Sequence, residues 1–235
     1  MKYRLLFAIL TLLTVVAWQA DATVQLPSFF SDHLVLQAGK PFPIWGTATP
    51  REEVRISIGG QTKTVVADQN GKWIATLDPL SSKTSLALKV QGNDGTERTV
   101  NDVVVGEVWL CSGQSNMALP VSKAQDFERE KPAAVWPSIR MLQRNKWVVC
   151  SPETVGEFSA TAYFFGREIH RRTGSPVGLI NLSSGGTPIT LWTSLEAQQA
   201  VPELKPLLAS TREAQMAGSE SVRQAKADRE QAVEV

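Results

Sequence analysis

Short apolar segments separated by polar turns characterise the first part of the chain, from Val24 to Val105. Within it, Val54–Ile58 reads V-R-I-S-I, and such strict alternation buries one face of a strand while the other face stays in water. Gly59-Gly60 and Asn70-Gly71 are dipeptides typical of hairpin turns. The pattern therefore predicts a small antiparallel β-sandwich at residues 23–105. Its predicted strands include Leu34–Leu36, Pro43–Trp45, Val54–Ile58, Thr62–Val66, Trp73–Thr76 and Leu86–Val90.

Strands and helices alternate in the second part of the chain. The apolar run Val103–Cys111 predicts a buried strand, and Ser138–Gln143 and Val177–Asn181 predict two more. Glu157–Arg172 has apolar residues at helical spacing, so we expect an amphipathic helix there. This alternation predicts a mostly parallel α/β sheet over residues 106–197. In such sheets the catalytic groups lie at the carboxyl ends of the strands.

The two ends of the chain have compositions of their own. Met1–Ala22 has a basic start, an apolar centre and the small-residue motif Ala20-Asp21-Ala22, a pattern typical of a secretory signal peptide. We therefore expect a secreted or periplasmic protein, and an uncleaved membrane anchor is the alternative. Residues 198–235 form a separate segment, and its part Glu213–Val235 has almost no large apolar residue. We expect a helical or flexible tail or insertion there.

The charge balance argues against polyanionic partners. Removal of residues 1–22, which include Lys2, Arg4 and Asp21, leaves 22 basic and 22 acidic residues. A net charge of zero gives no attraction to nucleic acid or to an anionic membrane surface, so we expect neither as a partner. The chain has two cysteines, Cys111 and Cys150, which would form either a disulfide or two buried thiols after export. Their spacing is not that of metal ligands.

A serine follows the first predicted strand of the second region. The strand Val103–Cys111 ends at the turn Ser112-Gly113-Gln114, and Ser115 opens a predicted short helix. A hydroxyl at a sharp strand-to-helix turn stands clear of the sheet, and free amide groups there can stabilise an oxyanion. Ser115 is therefore a candidate nucleophile. The simpler alternative is that Ser115 caps the helix, since serine is a favoured N-cap residue.

Three sequence blocks follow one another along the chain. They are Phe30-Ser31-Asp32-His33, Gly113-Gln114-Ser115-Asn116-Met117 and Gly185-Gly186-Thr187-Pro188-Ile189. Together they resemble the sialate O-acetylesterase family of SGNH hydrolases, and the resemblance runs from about Val24 to Ser194. It implies that residues 106–197 form the first part of a flavodoxin-like, three-layer α/β/α SGNH hydrolase domain, incomplete in this chain, after a β domain. Supporting matches are Val35-Leu36-Gln37, Ile44-Trp45-Gly46, Gly106–Ser112, Pro176–Asn181 and Trp192-Thr193-Ser194.

The resemblance implies a serine esterase that removes O-acetyl groups from sialic acid or from a related acetylated sugar. Ser115 would be the nucleophile, and its own amide N–H, with that of Gly185 or Gly186, would form the oxyanion hole. Gln114 and Asn116 would border the pocket. Glycine pairs also occur in plain turns, which is the alternative for Gly185 and Gly186. A serine acyl-enzyme of this kind uses no metal and no organic cofactor.

The general base is missing from the sequence. The family takes it from a later D-x-x-H motif, and no such motif occurs before Val235. His33, next to Asp32, lies in the predicted β domain, and His170 lies on the predicted helix, so we expect neither to be catalytic. We therefore expect an amino-terminal part of an esterase that is nearly inactive alone.

Several positions depart from the family pattern. Asn181–Gly186 reads N-L-S-S-G-G where the family often has N-S-S-W-G-G, and Thr190 and Ala118 stand where acidic residues are common. Such departures are expected to change the choice of substrate or to mark a diverged copy. A second class of function also stays open, a non-catalytic glycan-binding or surface protein on the same scaffold. The sugar, the acetyl position and the oligomeric state are not determined by the sequence.

Overall fold

The computed structural model describes residues 24–82, 84–204 and 206, which divide into two compact units. The first unit contains residues 24–107 with 144–147, and the second contains residues 108–143 and those from 148 onward. The predicted signal peptide at residues 1–22 and residues 207–235 of the predicted tail lie outside the described residues. The domain bounds expected from the sequence stay predictions.

The first unit is built almost entirely of strands. The order β4-β3-β6-β7 forms an antiparallel sheet, β1 pairs in parallel with β7, and β2 pairs antiparallel with β5. All six strands predicted for this region are present within two residues of their expected bounds, and their assembly into a sandwich stays a prediction. The strands are β1 (Val35–Gln37), β2 (Phe42–Thr47), β3 (Glu53–Ile58), β4 (Gln61–Val66), β5 (Lys72–Leu77), β6 (Leu86–Gly92) and β7 (Glu97–Gly113), whose last residues belong to the second unit.

The alternation of buried and exposed residues along the strands shows where the core of the first unit lies. Ile44 in β2 and Ala75 in β5 point inward, while Trp45 and Ile74 point outward. Gly46 is required by close packing, because a Cβ there would lie 2.1 Å from the Gln25 carbonyl oxygen and 2.7 Å from the Trp73 ring. The buried Trp73 indole therefore lies directly against the backbone of β2.

The second unit mixes strands and helices. The strand order is β7-β10-β8-β9, and β10 runs parallel to β8 with Val177 opposite Ile139. The sequence analysis missed β9, whose first two residues belong to the first unit. It follows β8 through a turn at Arg144 and Asn145, which have positive φ although neither is a glycine. The elements after β7 are α1 (Ser115–Ala118), α2 (Phe127–Ala133), β8 (Trp136–Gln143), β9 (Lys146–Cys150), α3 (Ala160–Thr173), β10 (Val177–Ser183) and α4 (Leu195–Gln199), with 3-10 turns at Val121–Lys123, Val155–Glu157, Ile189–Trp192 and Pro202–Leu204.

Helix α3 begins three residues later than predicted. Ser159 is its N-cap, and the Ser159 hydroxyl accepts a hydrogen bond from the Ala162 amide at 3.1 Å. The helix ends at Gly174, whose φ of +68° suits glycine. At Gly166 the helix approaches β10 closely, because a Cβ there would lie 2.7 Å from the Leu179 side chain.

Both cysteines lie in the core of the second unit as free thiols. The disulfide alternative is therefore wrong, and the expectation of two buried thiols is confirmed. Burial raises the pKa of Cys111, and burial with a contribution from Glu130 raises the pKa of Cys150 to about 12. Uncharged thiols with such pKa values are poor nucleophiles at neutral pH.

Candidate active site

Ser115 lies at the end of β7, where the strand turns into the four-residue helix α1. The N-cap position of that helix belongs to Gln114, so the alternative that Ser115 is a helix cap is wrong. Ser115 is exposed, as a nucleophile that must meet a substrate has to be. The strand-to-turn-to-helix placement expected from the sequence is confirmed.

The Gln114 side chain contacts both reactive groups of Ser115. Its Oε1 atom accepts a hydrogen bond from the Ser115 hydroxyl at 2.7 Å and another from the Ser115 amide at 2.9 Å. An amide carbonyl oxygen thus lies next to the hydroxyl and the N–H that the resemblance assigns to catalysis. The expected oxyanion donor of Ser115 is engaged in this structure, and it becomes available only when Gln114 moves.

Helix α3 fixes the segment that follows Ser115. The Thr161 hydroxyl donates to the Asn116 carbonyl at 3.0 Å, and the Ser159 hydroxyl donates to the Met117 sulfur at 3.5 Å. The Ala160 amide donates to the Leu119 carbonyl at 2.8 Å. These contacts join α1 to the start of α3 and so restrict the position of the candidate nucleophile. Asn116, expected to border the pocket, is exposed next to Ser115.

The glycine pair follows β10 and approaches Ser115. A Cβ built on Gly185 would lie 3.8 Å from both Cα and Cβ of Ser115, whereas one on Gly186 would meet nothing within 4 Å. The Ser184 amide donates to the Gly113 carbonyl at 3.0 Å, which joins this loop to the turn before Ser115. The structure therefore brings Gly185 to Ser115, and Gly186, with a φ of +76°, continues the turn.

Neither histidine contacts the candidate nucleophile. His33 lies in the first unit, where its Nδ1 is 2.7 Å from the Asp102 carboxylate. His170 Nδ1 is 2.7 Å from the Ser175 carbonyl oxygen, near the end of α3. His170 lies nine residues beyond Thr161, which is about 14 Å along a helix. Within the described residues of the second unit, no imidazole therefore lies beside Ser115.

Two polar atoms near the end of β10 were not anticipated from the sequence. Asn181 Oδ1 and Ser183 Oγ are buried and have no hydrogen-bond partner within the described part of the chain. A buried polar atom without a partner costs about 1–3 kcal/mol. Asn181 lies four residues and Ser183 two residues before Gly185, and only the polar composition of the Asn181–Ser184 stretch could have indicated them.

Other site chemistries receive no support from the described side chains. No group of three His, Cys, Asp or Glu residues among positions 24–82 and 84–204 is arranged to hold a metal ion. In the same residues, no helix is both long and apolar enough to cross a membrane. The groups gathered at the candidate site are one hydroxyl, one side-chain amide and the backbone around Gly185.

Comparison with known proteins identifies the family. A family model for the carbohydrate esterase, sialic acid-specific acetylesterase family matches residues 105–219, which contain Ser115, Gly185 and Gly186. The chain belongs to the sialate O-acetylesterase family. The family expected from the sequence blocks is thereby confirmed.

Three similar proteins show how much of the family's length this chain covers. It is 30% identical to human sialate O-acetylesterase in an alignment of 203 positions that covers 71% of this chain and 38% of that protein. It is 26% identical to the mouse protein of the same name, over 85% of this chain and 45% of the relative. A crystal structure of a carbohydrate acetylesterase from Xanthomonas citri matches with a TM-score of 0.70 and 34% identity, over 73% of this chain and 43% of that one. The chain therefore spans less than half the length of each.

The observed architecture agrees with this family assignment. The mixed α/β fold, with a mixed sheet and few helices, is consistent with an SGNH-like carbohydrate esterase. The finer expectation of three flavodoxin-like layers stays a prediction. Within the sialate O-acetylesterase family, the exposed Ser115 with Gly185 beside it is the candidate active site.

Proposed function

We propose that this chain carries the nucleophile and part of the oxyanion hole of a carbohydrate esterase that removes O-acetyl groups from sialic acid or a related acetylated sugar. The observation that carries the proposal is the exposed Ser115 hydroxyl with Gly185 beside it, at the end of adjacent strands β7 and β10. Family membership supports the substrate class, since the curated relatives are sialate O-acetylesterases.

The reaction would proceed through an acetyl-serine. Ser115 Oγ attacks the acetyl carbonyl carbon while its proton passes to a general base, and the carbonyl oxygen becomes an oxyanion. The amide groups of Ser115 and Gly185 would donate hydrogen bonds to that oxyanion. Collapse of the intermediate releases the sugar hydroxyl, which takes the proton, and water then hydrolyses the acetyl-serine to acetate. We propose that the base comes from the D-x-x-H motif of the family, outside these 235 residues.

Gln114 has to move before this reaction can occur. Its Oε1 atom accepts from the same Ser115 amide and hydroxyl that the substrate carbonyl would approach. We infer that this oxygen lies where the acyl oxygen of the substrate would bind. Rotation of the exposed Gln114 side chain frees both groups of Ser115 and requires no change in the backbone.

Hydrolysis of p-nitrophenyl acetate tests the assignment of the nucleophile. It should be measured for this chain and for the same chain extended by the downstream residues that the relatives possess. We expect turnover in the extended chain and a loss of about 10³-fold or more for Ser115→Ala, because removal of a nucleophile leaves only binding and oxyanion stabilisation. Ser112→Ala, at an exposed hydroxyl three residues upstream, is the matched control and should retain activity. Unchanged turnover by Ser115→Ala would show that the nucleophile is a different residue.

A non-catalytic glycan-binding protein on this scaffold is the second candidate. The hydrogen bond from the Ser115 hydroxyl to Gln114 favours this function, because a serine hydroxyl held by a side-chain amide is not activated as a nucleophile. Glycan binding without acetyl release by the extended chain would select this second function. Export to the outside or to a periplasm is proposed for either function, and a mature protein that begins at residue 23 would support it.

A further inference from the structure

A groove of about 850 Å³ is lined by residues of the first unit, whereas Ser115 and Gly185 belong to the second. Small-molecule sites in proteins have volumes of about 300–1,000 Å³ and are lined by apolar surface with a few polar groups. This groove follows the outward faces of β2 and β5. Its lining includes Trp45, Thr47, Val66, Asp68, Lys72 and Ile74.

An apolar strip runs along the floor of the groove. Trp45 and Ile74 are direct partners in the β2–β5 pair, and both side chains face outward. Trp45 is 40% exposed, while Ile74 and Val66 are each 62% exposed. Apolar side chains grouped on a surface in this way mark binding sites more often than single exposed ones do.

Two aromatic rings pack against the indole of Trp45. The Phe29 ring stacks on it at 6.2 Å with an interplanar angle of 17°, and the Phe30 ring meets it edge-on at 4.6 Å. A ring fixed by its neighbours loses little conformational entropy on binding, so it acts as a preformed contact surface.

Polar groups border this apolar strip. Asp68 Oδ1 accepts hydrogen bonds from the Asn70 and Lys72 amides at 2.7 and 2.9 Å, which fixes the carboxylate at the rim. Thr47 and Lys72 are partners in the β2–β5 pair, so a hydroxyl and an ammonium lie on the same face as Trp45. One acidic and one basic group balance each other, which favours a neutral ligand over a polyanion.

We propose that this groove binds a neutral saccharide at a site that does not take part in ester hydrolysis. A pyranose ring has an apolar face of C–H bonds and an edge of hydroxyl groups. The apolar face would pack on Trp45 and Ile74, and the hydroxyls would reach Thr47, Asp68 and Lys72. The groove would bind the glycan whether or not Ser115 is the nucleophile, so the two proposals fail independently.

Affinity electrophoresis of the full 235-residue chain tests the groove. Gels would contain soluble β-glucan, galactomannan, xylan or, as an anionic comparison, polysialic acid. We expect at least one neutral polysaccharide to retard the chain, and we expect Trp45→Ala to weaken that binding about tenfold or more. The matched control is Trp109→Ala, because Trp109 is also 40% exposed but belongs to the second unit.

Further variants separate loss of binding from loss of folding. Ile74→Thr changes the strip without removing the ring that contacts Phe29 and Phe30, and it should weaken retardation while the melting temperature stays close to that of the parent. Ser115→Ala should be retarded like the parent chain. The proposal is overturned if no neutral polysaccharide retards the chain, if Trp109→Ala weakens binding as much as Trp45→Ala, or if polysialic acid alone retards it. It is also overturned if Ile74→Thr only dissociates a dimer in gel filtration.

Discussion

The two sides of the candidate active site are built differently. Ser115 begins a helical turn that hydrogen bonds to the start of α3 hold at Asn116, Met117 and Leu119. Gly185 lies in an exposed loop that one backbone bond, from Ser184 to Gly113, joins to the strand end. The position of the nucleophile therefore depends on tertiary hydrogen bonds to α3, whereas the position of Gly185, on the candidate oxyanion side, depends on the backbone conformation of its own loop. Substitutions on the first side should change stability, and those on the second should change activity.

The largest loss of stability is expected for Gly166→Ala, in the helix α3 that holds the Ser115 segment. The added Cβ would lie 2.7 Å from the fully buried Leu179, and overpacking of a core costs about 1–3 kcal/mol. The better helix propensity of alanine offsets up to about 1 kcal/mol of this cost, so we expect a net loss of about 1–2 kcal/mol in the free energy of unfolding. Urea denaturation measures it.

A second substitution checks the cause of that loss. Leu179→Val removes a methylene group from the same contact, so the double variant with Gly166→Ala should recover part of the lost stability. Helix propensity alone predicts that Gly166→Ala raises the stability. That result would show that α3 does not depend on close contact with β10.

The strands of the first unit could be predicted because a single physical pattern determines them. In β3, every second residue is buried, and turn residues such as Gly59-Gly60 mark where the strand ends. The contact between Gly166 and Leu179 could not be predicted, since nothing local distinguishes a glycine that permits close packing from one that ends a helix. Strand β9 was missed because its turn contains Arg144 and Asn145 in place of glycine.

A smaller loss is expected for Ser159→Ala at the N-cap of α3. The substitution removes the acceptor for the Ala162 amide and the donor to the Met117 sulfur. Loss of a serine N-cap costs about 1 kcal/mol. Ser159→Asp is the control, because aspartate also caps helices but cannot donate to Met117 when ionised. Equal stability of the alanine variant and the parent chain in thermal melts would show that α3 does not need this cap.

The candidate site was only partly predictable for a related reason. The sequence blocks placed Ser115 and Gly185 near each other through the family resemblance, and the structure confirms that proximity. The bond from Ser115 to Gln114 was not foreseen, because it depends on a side-chain rotamer that no local pattern fixes. The supporting roles of Ser159 and Thr161 depend on tertiary contacts, which strand and helix periodicity does not describe.

The smallest change in stability is expected for Gly185→Ala, and Gly186→Ala in the same loop is its matched comparison. Gly185→Ala places a methyl group 3.8 Å from Ser115 without steric conflict, so the free energy of unfolding should change by less than about 0.5 kcal/mol. Ester hydrolysis by the extended chain should nevertheless fall about tenfold or more, because the methyl group occupies space beside the nucleophile. Gly186→Ala meets no neighbour but strains a residue with a φ of +76°, which should cost about 1 kcal/mol of stability. Full activity of Gly185→Ala would mean that this glycine only forms a turn, and the oxyanion side of the site would have to lie elsewhere.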